Sequence, residues 1–119
     1  MNFPAVILIS VALVTGCSHE LNLQLPAGEP LRLSIHAHGS PLATCSLVPG
    51  SPKYHILEKW LSKNRKGWQI TPATYVPRTV ISGPGFTINF IESLAIVNYA
   101  EGQYSHAITS LDYEFLQCK

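Results

Sequence analysis

Apolar or small residues run from Ala5 to Val14, with Ser10 the single polar position, and stop abruptly at Thr15-Gly16-Cys17. A membrane-spanning helix needs roughly 20 apolar residues, and this run is too short, with Pro4 near its start. A buried surface helix would carry a polar stripe every third or fourth position; none is present. A run of roughly 7–15 apolar residues closed by small ones is the pattern of a secretory leader. Residues 1–16 are therefore expected to be a signal peptide.

Behind the leader the pattern is that of a small folded domain. Residues 17–30 are polar, with Pro26, Gly28 and Pro30, and read as a tether with one short strand at 21–25. Residues 31–38 alternate apolar and polar strictly, which predicts a half-buried strand. Residues 39–52, rich in Gly, Ser and Pro, read as a loop carrying Cys45. Ser51-Pro52 then looks like an N-cap followed by proline at the first helical position. Tyr54, Leu57 and Leu61, with Ile56 and Trp60, fall at helical spacing, so a helix is expected over about 52–65.

Pro72 and Pro77 make residues 68–80 extended, with one or two edge strands at most. Ser82-Gly83-Pro84-Gly85 reads as a turn, and residues 86–90 and 94–99 as two strands. The tail is ambiguous. Tyr104, Ala107, Ile108, Leu111 and Phe115 fit a helical face, while Ala107, Thr109, Leu111, Tyr113 and Phe115 fit a strand; the helical reading is taken. The expected fold is α+β over residues 31–119, a small antiparallel sheet packed with one or two helices.

Composition narrows the picture. The chain has 119 residues, room for one domain, and a formal net charge of +1, which indicates neither a nucleic-acid binder nor an acidic tail. Charge is nonetheless uneven. Lys53, Lys59, Lys63, Arg65, Lys66 and Arg78 lie close together against Glu58 alone, and Glu92, Glu101, Asp112 and Glu114 follow. Lysines at the C-terminal end of the helix interact well with its dipole, so a solvated, well-capped helix end is one reading. The other is a partner-binding patch of Lys59, Lys63, Arg65 and Lys66 beside Trp60 or Trp68.

Val14-Thr15-Gly16-Cys17 resembles the lipobox of bacterial lipoproteins: an aliphatic residue, two small ones, then cysteine. The resemblance covers this segment alone, and the leader before it has no Lys or Arg. It implies a diacylglyceryl group on the Cys17 thiol, cleavage after Gly16 and acylation of the new amine. Ser18 in place of Asp implies the outer membrane. Cleavage after Gly16 by ordinary signal peptidase is the alternative. With Cys17 lipidated, Cys45 and Cys118 remain as an even pair in an oxidising compartment, and a disulfide between them is expected, two unpaired buried thiols being the other reading.

Catalytic patterns are sparse. There is no G-x-S-x-G, and Ser82-Gly83-Pro84-Gly85 lacks the lysine of a phosphate loop. His36 and His38 share one face of the predicted strand and are weak metal candidates, since a zinc site needs a third ligand and usually a fourth. No cofactor is expected.

The reading is a non-enzymatic protein-binding module, lipid-anchored on the periplasmic face of the outer membrane, of the inhibitor, immunity or accessory-subunit type. A structural lipoprotein contacting peptidoglycan or lipopolysaccharide, or a small enzyme or metal carrier, are the alternatives. Replacing Cys17→Ala should release the chain from the membrane fraction and remove the acyl mass seen by mass spectrometry. An unshifted mass with unchanged fractionation contradicts the lipid anchor.

Overall fold

The computed structural model describes residues 18–100 and 102–118; the leader and Cys17 lie outside them. The chain forms β1 (Leu31–Ala37), β2 (Ser40–Leu47), α1 (Pro52–Lys63), β3 (Gln69–Ile70), β4 (Thr79–Gly83), β5 (Phe86–Ile91), β6 (Leu94–Tyr99) and β7 (Gly102–Ala107), then a 3-10 turn at Ser110–Asp112. The expected α+β class holds. No helix among the described residues is long and apolar enough to cross a membrane.

The helix begins where its sequence says. Ser51 stays extended, its Oγ accepts from the Tyr54 N–H at 3.3 Å, and Pro52 occupies a first-turn position whose N–H would have no helical partner. It ends at Lys63, before the expected 65. Asn64 turns both its backbone N–H (3.0 Å) and its side-chain amide (2.8 Å) onto the Trp60 carbonyl, which closes the last turn.

The sheet is antiparallel throughout, in the order β2-β1-β4-β5-β6-β7-β3. Two expectations are corrected here. Residues 39–52, read as a loop, hold β2, which pairs with β1 from Ala37↔Ser40 to Leu31↔Leu47. His38 and Gly39 both have positive φ (52° and 80°), the left-handed pair that a two-residue hairpin turn requires. Small residues past that turn signal a hairpin arm as readily as a loop.

The tail is the second correction. Residues 102–107 form β7, and none of the tail is α-helical among the described residues. β7 satisfies the free edge of β6 along six register pairs, from Tyr99↔Gly102 to Leu94↔Ala107. A helix there would leave that edge's backbone groups to find other partners.

One sheet face holds the core. Leu31, Leu33, Ile81, Ile88, Phe90 and Val97 are buried beneath Tyr54, Leu57, Trp60 and Leu61 of α1. Trp60 meets Phe90 edge-on at 5.1 Å and Trp68 at 6.2 Å. The stretch expected to be a tether joins this core: Leu21 is buried, Leu23 and Leu25 pack against it, and His19 forms a two-way backbone bridge with Trp68. Tyr54 donates its hydroxyl to the Pro26 carbonyl at 3.0 Å. Burial, with Glu58 adding to it, holds that phenol's pKa above its ordinary value.

The opposite face is crossed by residues 71–78. They carry the chain from β3 at one edge to β4 between β1 and β5, past four strand spacings, about 19 Å. Eight extended residues reach about 26 Å, and Pro72 and Pro77 keep them extended. Gln103 Nε2 donates to the carbonyls of Thr71 (3.0 Å) and Ala73 (2.7 Å). Asn89 accepts from the Arg78 N–H (3.0 Å) and donates to the Val76 carbonyl (3.1 Å). Ile96, opposite Asn89 in the ladder, is buried yet lies outside the main core cluster.

The expected disulfide is present. Cys45 on β2 and Cys118 near the C-terminus are bonded with Cα atoms 5.6 Å apart and 73 residues between them in sequence. Closing a loop of that length contributes about 4 kcal/mol by the chain-entropy argument.

Asn89→Ala strips both part-buried side-chain bonds from the strap, to the Arg78 N–H and the Val76 carbonyl. Urea unfolding should show a loss of roughly 2 kcal/mol, more than an exposed Asn98→Ala, which should change stability by less than about 0.5 kcal/mol.

Candidate functional site

Asp112 fastens the C-terminal turn to α1. One carboxylate oxygen accepts from the Trp60 indole N–H at 3.1 Å; the other accepts from the Thr109 N–H at 2.8 Å and its hydroxyl at 3.4 Å. The Thr109 backbone bond is the main cause of a lowered Asp112 pKa. Partial burial opposes it, and the Trp60 and Thr109 side chains and the charge of His106 assist it. Further along, Tyr113 stacks on Phe90 at 5.5 Å and donates its hydroxyl to the Glu92 carbonyl (3.1 Å), Leu116 is buried, and Lys53 Nζ donates to the Gln117 carbonyl.

Between this tail and the outward side of α1 lies a groove of about 370 Å³. Ile56 (43% exposed) on α1 and Leu111 (72% exposed) in the tail both line it, as do Trp60 and Phe115. Lys59 and Lys63, one helical turn apart, edge the helix wall, and Glu114 edges the tail wall. Both lysines are exposed and neither forms an ion pair among the described residues.

The residues singled out from sequence are only partly brought together. Lys59 and Lys63 line the groove. Arg65 points to another side of the helix, where it pairs with Glu20 at 3.4 Å and donates to Asn22 at 3.4 Å. Lys66 is exposed, and its carbonyl lies 3.0 Å from His106 Nε2.

Trp68 is a correction. It is fully buried, bonded through its indole N–H to the Asn64 carbonyl and packed beside Trp60 and His106, so it presents nothing to a partner. Position after a helix does not report burial; here the bridge to His19 folds the leading segment over it.

His36 and His38 do not share a strand face as expected. His36 sits at the end of β1 with its Nδ1 buried and without a hydrogen-bond partner, while His38 is in the hairpin turn. No three His, Cys, Asp or Glu side chains converge among the described residues. Ile56, Asn64, Leu111, Asp112, Glu114 and Phe115 are the groove residues that sequence reasoning did not assign to a site. The apolar spacing of Leu111 and Phe115 is visible in the sequence, but a helical reading of the tail aims them elsewhere.

No known protein family, curated protein or solved structure matches this chain.

The lowered Asp112 pKa has a defined pH consequence. A carboxylate with a depressed folded pKa contributes stability that is fully present above its unfolded value, near 3.9, and is lost as pH falls through the folded one. Asp112→Asn should therefore flatten the acid side of the stability–pH profile measured by urea unfolding. A profile parallel to the parent's below about pH 4 contradicts this.

Proposed function

We propose that this chain is a small non-enzymatic binding module whose groove between α1 and the C-terminal turn receives a protein partner. The partner presents a carboxylate to Lys59 and Lys63 and an apolar side chain between Ile56 and Leu111. The observation that carries this reading is the pairing of exposed apolar side chains with two lysines that have no ion-pair partner among the described residues. Such a combination, an apolar centre with a charged rim, is what protein interfaces use. The walls are held by Asp112 and by the disulfide, so little ordering is needed on binding.

In the same proposal Cys17 carries the lipid, and the protein faces the periplasm from the outer membrane. Two or more acyl chains hold such a protein stably where one does not. His19 is fixed to Trp68 two residues further on. The body then lies close against the bilayer and not at the end of a flexible arm.

The test is site-specific photo-crosslinking in intact cells of the full chain, with the reactive residue at position 111 and, as control, at position 32 on the opposite sheet face. A single discrete adduct from position 111 should fall about tenfold when Lys59→Glu and Lys63→Glu are introduced together. No adduct at 111, or one indifferent to charge reversal, overturns the reading.

A further inference from the structure

The two ends of the sheet are treated differently. β3 exposes an edge of only two residues, whereas β2 exposes an edge of eight. Natural edges are guarded by charges, prolines, bulges or shortness. β2 has Pro41 near its start and a register shift at Leu42, but no charged side chain occurs anywhere from 39 to 52. Beyond Leu42 the edge is unguarded.

Its open hydrogen-bonding groups can be identified. The His36 N–H bonds to the Arg78 carbonyl, so even-numbered residues of β1 address β4 and odd-numbered ones address β2. Ala43, Cys45 and Leu47, opposite Ile35, Leu33 and Leu31, therefore bond inward to β1. Thr44 and Ser46, both exposed, turn their N–H and C=O groups away from the sheet.

The segment is also self-complementary. Residues 41–49 read Pro-Leu-Ala-Thr-Cys-Ser-Leu-Val-Pro, close to symmetric about Cys45. An antiparallel second copy with its two-fold axis at Cys45 sets Thr44 opposite Ser46 of the second copy, so the outward groups exchange their hydrogen bonds. It brings Leu42 (71% exposed) level with Val48 of the second copy, itself 55% exposed. Pro41 meets Pro49 at each end, so the residues without an N–H bound the ladder. No like charges oppose one another. The disulfide at Cys45 holds the middle of the strand to the tail, which pre-organises the edge.

We infer that β2 is a homodimer edge, joining two copies of this chain into one continuous antiparallel sheet through Thr44 and Ser46. This surface is independent of the groove between α1 and the tail. The junction is a single strand pair wide, smaller than the roughly 1,200–2,000 Å² of a standard stable interface, so association depends on concentration.

Two double variants of the full chain in density-matched detergent, followed by sedimentation equilibrium, test both the edge and its register. Thr44→Lys with Ser46→Lys places like charges opposite each other across the axis. Thr44→Glu with Ser46→Lys places opposite charges there. The parent and the Glu/Lys variant should form a reversible dimer, and the Lys/Lys variant should associate about tenfold more weakly than the Glu/Lys variant. A parent that stays monomeric, a dimer that survives both variants equally, or equal loss in both overturns the proposal. Equal loss accompanied by binding of an extended foreign peptide assigns the edge to strand addition by another protein.

Discussion

The link between Cys45 and Cys118 is the constraint on which both surfaces of this protein depend. It ties the outermost long strand to the far end of the chain, so the tail must cross the core-bearing side of the sheet to reach it. That crossing buries Leu116, stacks Tyr113 on Phe90 and sets the turn at Ser110–Asp112 against α1. One wall of the groove and the rigidity of the β2 edge follow from the same bond. A loop of this length, closed covalently, also compensates for the modest core that about a hundred residues can build.

The sheet itself is covered on both sides, by different means. On the core side the cover is apolar: α1, Trp68, Leu21 and the tail exclude water from Leu33, Ile81, Ile88 and Val97. On the other side the cover is a single extended strap, too thin to hide a large apolar surface. Its attachment is therefore polar. Asn89 and Gln103 use side-chain amides to satisfy the backbone groups that two prolines and an irregular path leave outside any ladder. Ile96, opposite Asn89 in the ladder, is buried outside the main core cluster.

Charge on the surface is sorted by geometry and not by proximity in sequence. Arg65 and Arg78 are occupied by Glu20 and Glu92, whereas Lys59 and Lys63 face a groove with apolar walls. A helix C-terminus already favours cations, which accounts for lysines at this end. It does not account for the exposed Ile56 and Leu111 beside them.

Much of this was legible in the chain before folding. The cap at Ser51-Pro52, the face formed by Tyr54, Leu57 and Leu61, and the strands at 31–37, 86–91 and 94–99 follow from local periodicity and turn chemistry, which are properties of neighbouring residues. The Cys45–Cys118 pair was legible too, because the expected lipidation of Cys17 leaves these two as an even pair. Tertiary structure decided the rest. Whether residues 40–47 and 102–107 became strands depended on a free neighbouring edge, which no local window contains. Whether Trp68 was surface or core depended on His19, 49 positions away and bonded to it through the backbone. Local sequence settles what an element can be; burial and pairing are settled only by what the remainder of the chain brings alongside.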